Sequence, residues 1–285
     1  MQVRKAVITA AAPDQSRLPL QQLIDAQGRE RTALALIIDE ATSAGIEEIA
    51  VIIRPEDASA YESAAESTSV DLHFIKQAKP TGYAAALTLA SDFIGSENFL
   101  HLVGDHLYVE STNQTCAKQL INVAAEFGCS VSAVQATRET NLPYFGIVSG
   151  PRVPQLDRVF EIETVLEKPT PTKAEQHLIT PGLRSGQYLG FFGMHVLTPE
   201  VMSLLKDLSN APESKPASLS DALAQLPGRQ RYLAYQLRGS RYNLGVDYGL
   251  LRAQLAIGLS GRDRDLILTE LVDLLAGRLE GTHQS

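Results

Sequence analysis

Asp105 has a residue type and a position in the sequence that are suited to chemistry. It follows Gly104 at the end of an apolar run, Phe99 to Val103. An apolar run is typical of a strand covered on both faces by helices, as in a parallel sheet. Ligands bind such sheets beyond the carboxyl ends of the strands, where a carboxylate can bind a metal ion or a substrate. An aspartate in this position also caps turns, so Asp105 alone leaves both interpretations open.

Three further segments carry side chains suited to binding anions or polar groups. Gln77 precedes a turn whose glycine, Gly82, opens a helix of small residues. The Gln77 amide can pair with a nucleobase, and the start of the helix favours phosphate. Glu167 and Lys168 end a strand side by side, and Arg17 is the only cation in the loop after the first strand. Each signal is weak by itself, because glutamines are common at surfaces and most Glu–Lys pairs are solvated.

Strands that alternate with helices are needed to bring these segments together. Apolar runs predict strands at 5–11, 48–53, 70–75, 99–103 and 130–136, and periodic segments predict helices at 32–45, 55–66, 82–93 and 114–127. This alternation predicts an α/β fold, a Rossmann-like doubly wound sheet with helices on both faces. Right-handed crossovers would bring the loops that carry Arg17, Gln77 and Asp105 to one edge of that sheet.

The second half of the chain has a different pattern. Strands predicted at 145–148, 158–167 and 186–196 have no helix between them, so we expect a β-rich insertion and a mixed sheet. Residues 170–184 contain prolines and no clear periodicity, which predicts a surface loop. The remaining predictions are helices at 199–207, 218–226, 247–258 and 263–279, a strand at 231–237 and a tight turn at 242–245. The apolar stripe of the last helix fits its own domain or a second subunit.

Composition excludes several classes of function. The net charge is −8 and no basic run is present, which argues against a nucleic-acid partner. No signal peptide or membrane span is visible, so we expect a cytoplasmic protein. Cys116 and Cys129 fall in different predicted elements, which argues against a disulfide or a metal pair. The loop after the first strand lacks Gly-x-Gly-x-x-Gly, which argues against a dinucleotide-binding oxidoreductase.

The order of the segments resembles the sugar-phosphate nucleotidyltransferases, and most closely the bacterial UTP–glucose-1-phosphate uridylyltransferases. The resemblance extends from residue 5 to about residue 259 and is carried by the stretches at 44–49, 77–82, 99–105, 144–148, 167–169, 189–192 and 219–222. It implies a nucleotidyltransferase domain at 1–262, with a nucleotide-binding half at 1–137 and a sugar-phosphate-binding half at 138–262. Residues 263–285 would form a C-terminal helix and tail.

The resemblance also implies roles in binding the nucleotide and a metal ion. Gln77 and Gly82 would hold the pyrimidine of UTP. Asp105 would hold Mg²⁺ between the nucleotide and the sugar phosphate, with the carbonyl oxygen of Asn243 as a second ligand. Arg17 lies where the triphosphate-binding motif of the family ends, and Arg17-Leu18-Pro19 still resembles that part of the motif.

The sugar phosphate would bind on the other side of Asp105. By the same resemblance, Gly146, Glu167 and Gly190 would line the sugar pocket, and Lys168 would meet the phosphate. The implied reaction is attack of the sugar-1-phosphate oxygen on the α-phosphorus of UTP, with pyrophosphate leaving. Such a reaction depends mainly on positioning and charge neutralisation. Arg17, Asp105 and Lys168 are therefore the predicted catalytic residues.

The chain departs from the family at the loop after the first strand and at Asn243. The family's loop carries Gly-x-Gly-Thr-Arg, whereas residues 12–17 contain no glycine, and Pro13 removes an amide donor. Asp14 adds negative charge, and the lysine that follows in the family is absent. Asn243 stands where the family usually has a second metal-binding aspartate, so Mg²⁺ affinity should fall.

These departures leave a second hypothesis open, namely an impaired homologue that binds a nucleotide sugar in a regulatory role. Activity would then depend on compensation by Arg29, Arg31 or Lys79. His101 and His106 flank Asp105, which suggests a metal site with mixed ligands. Strand alternation places residue 101 on the side of 103 and 105, where it can simply pack in the core. Neither histidine is included in the predicted site.

Overall fold

A computed structural model describes residues 1–65, 70–79, 82–210 and 217–281. The strands are β1 (Lys5–Thr9), β2 (Gln22–Ile24), β3 (Glu30–Thr32), β4 (Glu48–Ile53), β5 (Asp71–Lys76), β6 (Phe99–Val103), β7 (His106–Glu110), β8 (Ser130–Arg138), β9 (Gly146–Ser149), β10 (Val159–Glu161), β11 (Thr164–Glu167), β12 (Gln187–Leu197), β13 (Tyr232–Gln236) and β14 (Gly239–Asn243). The α-helices are α1 (Ala33–Ser43), α2 (Ala58–Ala65), α3 (Tyr83–Thr88), α4 (Ser91–Ile94), α5 (Cys116–Phe127), α6 (Pro171–His177), α7 (Pro199–Asn210), α8 (Leu219–Gln225), α9 (Gly249–Ser260) and α10 (Arg264–Gly281).

One large mixed sheet organises the molecule. Its strand order is β10-β13-β8-β12-β6-β1-β4-β5, with β9 paired to β12 and β11 paired to β9. The segment β6-β1-β4-β5 is parallel throughout, whereas β12 runs antiparallel to both β6 and β8. This arrangement confirms the predicted doubly wound mixed sheet. Strands from both predicted halves share it, and the division at residue 137 stays a prediction.

Helices cover both faces of the sheet, as the apolar strands predicted. On one face, Leu34 of α1 and Leu120 of α5 are fully buried. On the other face, Leu87 of α3, Leu205 of α7 and Leu223 of α8 are fully buried. Each such side chain contributes about 2 kcal/mol of transfer free energy. Among the described residues, no helix is long and apolar enough to cross a membrane.

The loop predicted at 170–184 is wrong in its first half, where residues 171–177 form helix α6, whereas residues 178–184 contain no helix or strand. The Thr170 side chain accepts a hydrogen bond from the Lys173 amide, and Pro171 occupies the first helical position. Proline is favoured there, since its missing N–H has no partner in the first turn. The proline that suggested a loop therefore marks the start of a helix.

Two short strands near Asp105 were missed. The tight turn predicted at 242–245 is wrong for its first two residues, because they belong to β14, and only residues 244 and 245 form a turn. Strand β14 pairs antiparallel with β7, which begins directly after Asp105. The pairing places Asn243 opposite His106. The predicted helix at 82–93 is also divided into α3 and α4, and the predicted strand at 158–167 is divided into β10 and β11.

Candidate active site

A cleft of about 850 Å³ opens beyond the carboxyl ends of β1 and β6. Its walls come from the segments that follow β1, β5, β6 and β11, together with β14 and the start of α8. The predicted crossovers therefore bring the expected loops together. The cleft is lined by the following residues of the predicted site: Gln77, Gly82, Asp105, Gly146, Glu167, Lys168 and Asn243.

Asp105 lies at the centre of this arrangement, between β6 and β7. Gly104 allows the close approach to β1, because a Cβ there would lie 2.9 Å from the carbonyl oxygen of Thr9. The carbonyl of Asp105 accepts a hydrogen bond from the Leu244 amide at 2.8 Å, which ties it to the end of β14. Burial would raise the pKa of its carboxyl, but contact with His106 and the charge of Arg241 lower that pKa below its ordinary value. Asp105 is therefore ionised at neutral pH.

Asn243 and His106 lie on either side of the same short strand pair. The Asn243 side-chain oxygen accepts a hydrogen bond from the Gly245 amide at 2.7 Å, which fixes its orientation and leaves one lone pair free. His106 also lines the cleft, with its Nδ1 2.9 Å from Asp105 Oδ1. The sequence interpretation left this histidine out, because the strand that directs its ring into the cleft was not predicted.

Gln77 and Gly82 also line the cleft. The Gln77 residue is only 8% exposed, although glutamines are common at protein surfaces. Gly82 has φ +116°, a conformation that favours glycine, and it precedes α3. Residues 80 and 81 of the predicted base-binding turn lie outside the described residues.

Glu167 is held in place by a residue that the sequence interpretation did not select. Ser220, at the start of α8, donates a hydrogen bond to Glu167 Oε2 at 2.6 Å. Gly146 leaves room for this contact, since a Cβ there would lie 2.6 Å from Ser220 Oγ. Lys168 has the left-handed φ of +46° and a side chain that is 57% exposed. Its ammonium lies 3.9 Å from Glu167 Oε1 and is free to reach an anion in the cleft.

Gly190 does not line the cleft. It lies within β12, where a Cβ would collide with Thr137 Oγ1 of β8. The glycine is therefore explained by close strand packing, and its predicted contact with a sugar stays a prediction.

Arg17 also lies away from the cleft lining. Its Nε donates to Asp57 Oδ1 at 3.1 Å, and Ser16 Oγ donates to Asp57 Oδ2 at 2.8 Å. Tyr61 donates to the carbonyl of Ser16, which anchors the loop to α2. The catalytic role of Arg17 stays a prediction. Asp14 is exposed and does not line the cleft, so its charge is not directed at the cleft interior.

The cations proposed to compensate for the altered loop either form ion pairs with other residues or do not line the cleft. Arg29 forms an ion pair with Asp25, and Arg31 forms one with Asp39. Lys79 is not among the residues that line the cleft. The altered loop therefore gains no cation from this set.

Arg241 of β14 is a cleft cation that sequence reasoning missed. Its Nη1 donates to the carbonyl of Phe191 at 2.6 Å, and its guanidinium carbon lies 4.0 Å from the ring centre of Phe145. Burial lowers the pKa of Arg241 to about 10, although the charges of Tyr108 and Asp105 oppose this. The side chain is still protonated at neutral pH. Had β14 been recognised, strand alternation would have placed residue 241 on the same side as Asn243.

The floor of the cleft is polar but uncharged. Tyr83 Oη lies 2.7 Å from Thr9 Oγ1 and 3.0 Å from His101 Nε2. His101 is fully buried, as the strand alternation suggested, and burial lowers its pKa to about 3. His195 stacks beside it, with Nδ1 2.6 Å from Ser132 Oγ. Both rings are therefore neutral at physiological pH.

Comparison with known proteins agrees with this architecture. The family model described as Nucleotidyl transferase matches residues 17–254. The chain belongs to the nucleotidyl transferase family.

Similar proteins match this nucleotidyl transferase over most of its length. It is 28% identical to UTP–glucose-1-phosphate uridylyltransferase 2 of Streptococcus pyogenes serotype M3 (strain ATCC BAA-595 / MGAS315), over 90% of this chain and 91% of that protein. It is also 28% identical to UTP–glucose-1-phosphate uridylyltransferase YngB of Bacillus subtilis (strain 168), over 96% of both chains.

Solved structures share the fold of this nucleotidyl transferase. A UDP-glucose pyrophosphorylase complexed with UDP-glucose superposes with a TM-score of 0.75 at 21% identity, over 90% of this chain and 98% of that one. A UTP-bound UGPase from Acinetobacter baumannii superposes with a TM-score of 0.74 at 22% identity, over 95% and 99% of the two chains.

The cleft of this nucleotidyl transferase is suited to bringing two anions together. Lys168, which directly follows β11, and Arg241 of β14 both line the cleft, and so does Asp105. Ionised Asp105 can hold a cation, and Glu167 can accept hydrogen bonds from hydroxyl groups. None of these groups is arranged as a nucleophile next to a base, so the geometry favours direct transfer between bound substrates.

Proposed function

We propose that this protein transfers the UMP group of UTP to a hexose-1-phosphate, with glucose-1-phosphate as the expected acceptor, and releases pyrophosphate. The observation that carries the proposal is the meeting of Gln77, Asp105 and the Glu167-Lys168 pair in one cleft. Its support is family membership and the two relatives named as UTP–glucose-1-phosphate uridylyltransferases. We also propose that the protein works in the cytoplasm, as the sequence analysis expected.

Each cleft residue would have a role that follows from its position. Gln77 is buried in the lining of the cleft, where its amide would pair with uracil through one donor and one acceptor. Glu167 is oriented by Ser220 and would accept hydrogen bonds from sugar hydroxyls. Lys168 and Arg241 would neutralise phosphate charge, which builds up on the leaving group as the new bond forms.

Asp105 fits a divalent cation, and we propose Mg²⁺. The carboxylate is buried and ionised, and its Oδ1 has no hydrogen-bond partner among the described residues. An oxygen in that state is a suitable ligand for a hard cation. When bound, the cation would supply positive charge to the phosphates. Asn243 would add a neutral carbonyl oxygen.

A screen for pyrophosphate release tests the proposal. Purified protein is supplied with Mg²⁺, one nucleoside triphosphate and one sugar-1-phosphate, with Asp105→Ala as the control. We expect release with UTP and a hexose-1-phosphate, and at least about a hundredfold less from the variant, since such cleft charges stabilise the transition state strongly. Absence of release with every pair would overturn the proposal. Binding of UDP-glucose without turnover would instead support the impaired, regulatory homologue.

A further inference from the structure

His106 is placed by the fold as a neighbour of Asp105 within the cleft. It begins β7 directly after Asp105, and β14 holds it opposite Asn243. The ring lies beside Gly193, where a Cβ would be 3.6 Å from Nδ1. The His106 side chain is 9% exposed, and Asp105, His106, Gly193 and Asn243 all line the cleft.

Both ring nitrogens of His106 lack a hydrogen-bond partner among the described residues, and so does Asp105 Oδ1. Nδ1 and Oδ1 are 2.9 Å apart, which is close enough for an ion pair when the imidazole is protonated, but their orientation is not that of a directed hydrogen bond. Buried polar groups without partners are rare in folded proteins, because each costs about 1–3 kcal/mol. Nδ1 and Oδ1 lie side by side, so one ligand that binds both atoms would satisfy them.

The separation of these atoms fits adjacent positions around an octahedral cation. Ligands about 2.1 Å from such a cation and at right angles to each other are about 3.0 Å apart. The observed Nδ1–Oδ1 distance is 2.9 Å. The two lone pairs can then point at a common centre instead of at each other.

We propose that His106 binds a divalent cation together with Asp105, and that its imidazole makes the site prefer a first-row transition ion, such as Mn²⁺, to Mg²⁺. The use of this cation in nucleotidyl transfer rests on the proposed function, but its binding does not. The preference follows from ligand type, because Mg²⁺ favours oxygen ligands, whereas imidazole binds transition ions better. A single carboxylate, a neutral amide and an imidazole would therefore hold Mg²⁺, the cation of the proposed reaction, but bind a transition ion more tightly.

Pulsed electron paramagnetic resonance of the full chain with Mn²⁺ alone tests the inference directly. Bound Mn²⁺ should show modulation from an imidazole nitrogen. Competition titrations should show Mn²⁺ bound about tenfold or more tightly than Mg²⁺. Absence of nitrogen modulation, or equal affinity for both ions, would overturn the proposal. No nucleotide is needed, so a failure of the proposed function does not affect this result.

Variants at His106 separate a ligand from a merely structural residue. His106→Gln should abolish the nitrogen modulation and lower Mn²⁺ affinity about tenfold, while Mg²⁺ affinity changes less. His106→Asp should also abolish it but reverse the preference towards Mg²⁺. Circular dichroism checks that each variant is folded. Unchanged modulation in a folded His106→Gln variant would contradict the inference.

His73 provides the matched control. Among the described residues, Glu48, Asp71 and His73 form another group whose ligand atoms lie within 4.8 Å of one another. This group is at the far ends of β4 and β5 and does not line the cleft. His73→Gln should leave the nitrogen modulation and the Mn²⁺ affinity unchanged. Loss of the nitrogen modulation in His73→Gln would mean that the ion is bound by His73 and not by His106, and it would overturn the proposal.

Discussion

Arg241 lies inside the cleft because two contacts from other elements hold it there. Its hydrogen bond to the Phe191 carbonyl fixes one end of the guanidinium, and the Phe145 ring supports its face. Arg17, in contrast, is bonded to Asp57 outside the cleft lining. The loop after β1 has no glycines, and a half-buried cation of the cleft comes instead from the distant strand β14.

A comparison of Arg241→Met with Arg17→Met tests this difference. We expect Arg241→Met to lower kcat/KM for UTP about a hundredfold, because a cation in a water-poor cleft stabilises phosphate charge strongly. Arg17→Met should lower it by less than about tenfold, since that side chain contacts Asp57. Steady-state kinetics with thermal melts distinguish lost chemistry from lost folding. A larger loss in Arg17→Met would restore the catalytic role predicted from the sequence.

The site residues that the sequence indicated share a property. Asp105, Glu167 and Gln77 each end or follow an apolar strand, and the sheet topology collects strand ends. Ser220 and Arg241 could not be selected in this way, because their importance depends on contacts with Glu167 and Phe191, which are distant in the chain. Local patterns contain no information about such pairs.

At the scale of elements, the antiparallel pair of β9 and β11 meets α8 where the cleft is proposed to bind the sugar. Gly146→Ala would place a methyl group 2.6 Å from Ser220 Oγ and 2.7 Å from Phe191. We expect the Ser220–Glu167 bond to break and KM for the sugar phosphate to rise about tenfold. Overpacking should also lower the free energy of unfolding by about 1–3 kcal/mol.

Gly228→Ala is the control for that substitution. No atom lies within 4 Å of a Cβ at Gly228, so the same chemical change should leave KM and stability nearly unaltered. Equal behaviour of the two alanine variants would contradict the assigned role of Gly146.

The junction between α1 and α5 should make stability depend on pH. Burial raises the pKa of Glu40 to about 7, opposed by the Ala117 amide and reinforced by the charge of Glu110. The folded state therefore binds more protons than the unfolded state between pH 4.5 and 7, and the free energy of unfolding falls as pH rises through that window. Glu40→Gln should stabilise the protein by about 1–3 kcal/mol at pH 8 and by much less at pH 5.

Urea unfolding at both pH values measures this effect. A stability difference that does not change between pH 5 and pH 8 would contradict the raised pKa of Glu40.

Long apolar or periodic elements were predictable, whereas short ones were not. The ranges of β4 and β6 match their predictions to the residue, because five of the six residues of β4 and four of the five residues of β6 are apolar. Strand β14 contains Gly239, Ser240 and Arg241, which carry no strand signal, and it exists because β7 lies beside it. The secondary structure of such short segments depends on pairing with a distant strand and not on the local sequence.

At the scale of the whole molecule, α10 is the part least covered by the rest of the chain. Leu266 and Leu275 are 62% and 63% exposed, and α10 contacts mainly α9. Exposed apolar patches of this kind mark interaction surfaces. Of the two alternatives left open by the sequence, this exposure favours a second subunit.

Removal of residues 264–285 tests the role of α10. We expect the full chain to sediment as a dimer and the truncated chain as a monomer. Turnover should be unchanged, because α10 does not line the cleft. Analytical ultracentrifugation measures the assembly, and a monomeric full chain at micromolar concentration would contradict this expectation.

Phosphorus NMR of a single reaction mixture tests the central claim most directly. The mixture contains purified protein, UTP, glucose-1-phosphate and a divalent cation, with Asp105→Asn in a parallel tube. The account predicts equal growth of UDP-sugar and pyrophosphate resonances with the native chain, and at least about a hundredfold slower growth with the variant. Unchanged UTP and sugar phosphate signals with the folded native chain would contradict it, as would equal rates for the two proteins.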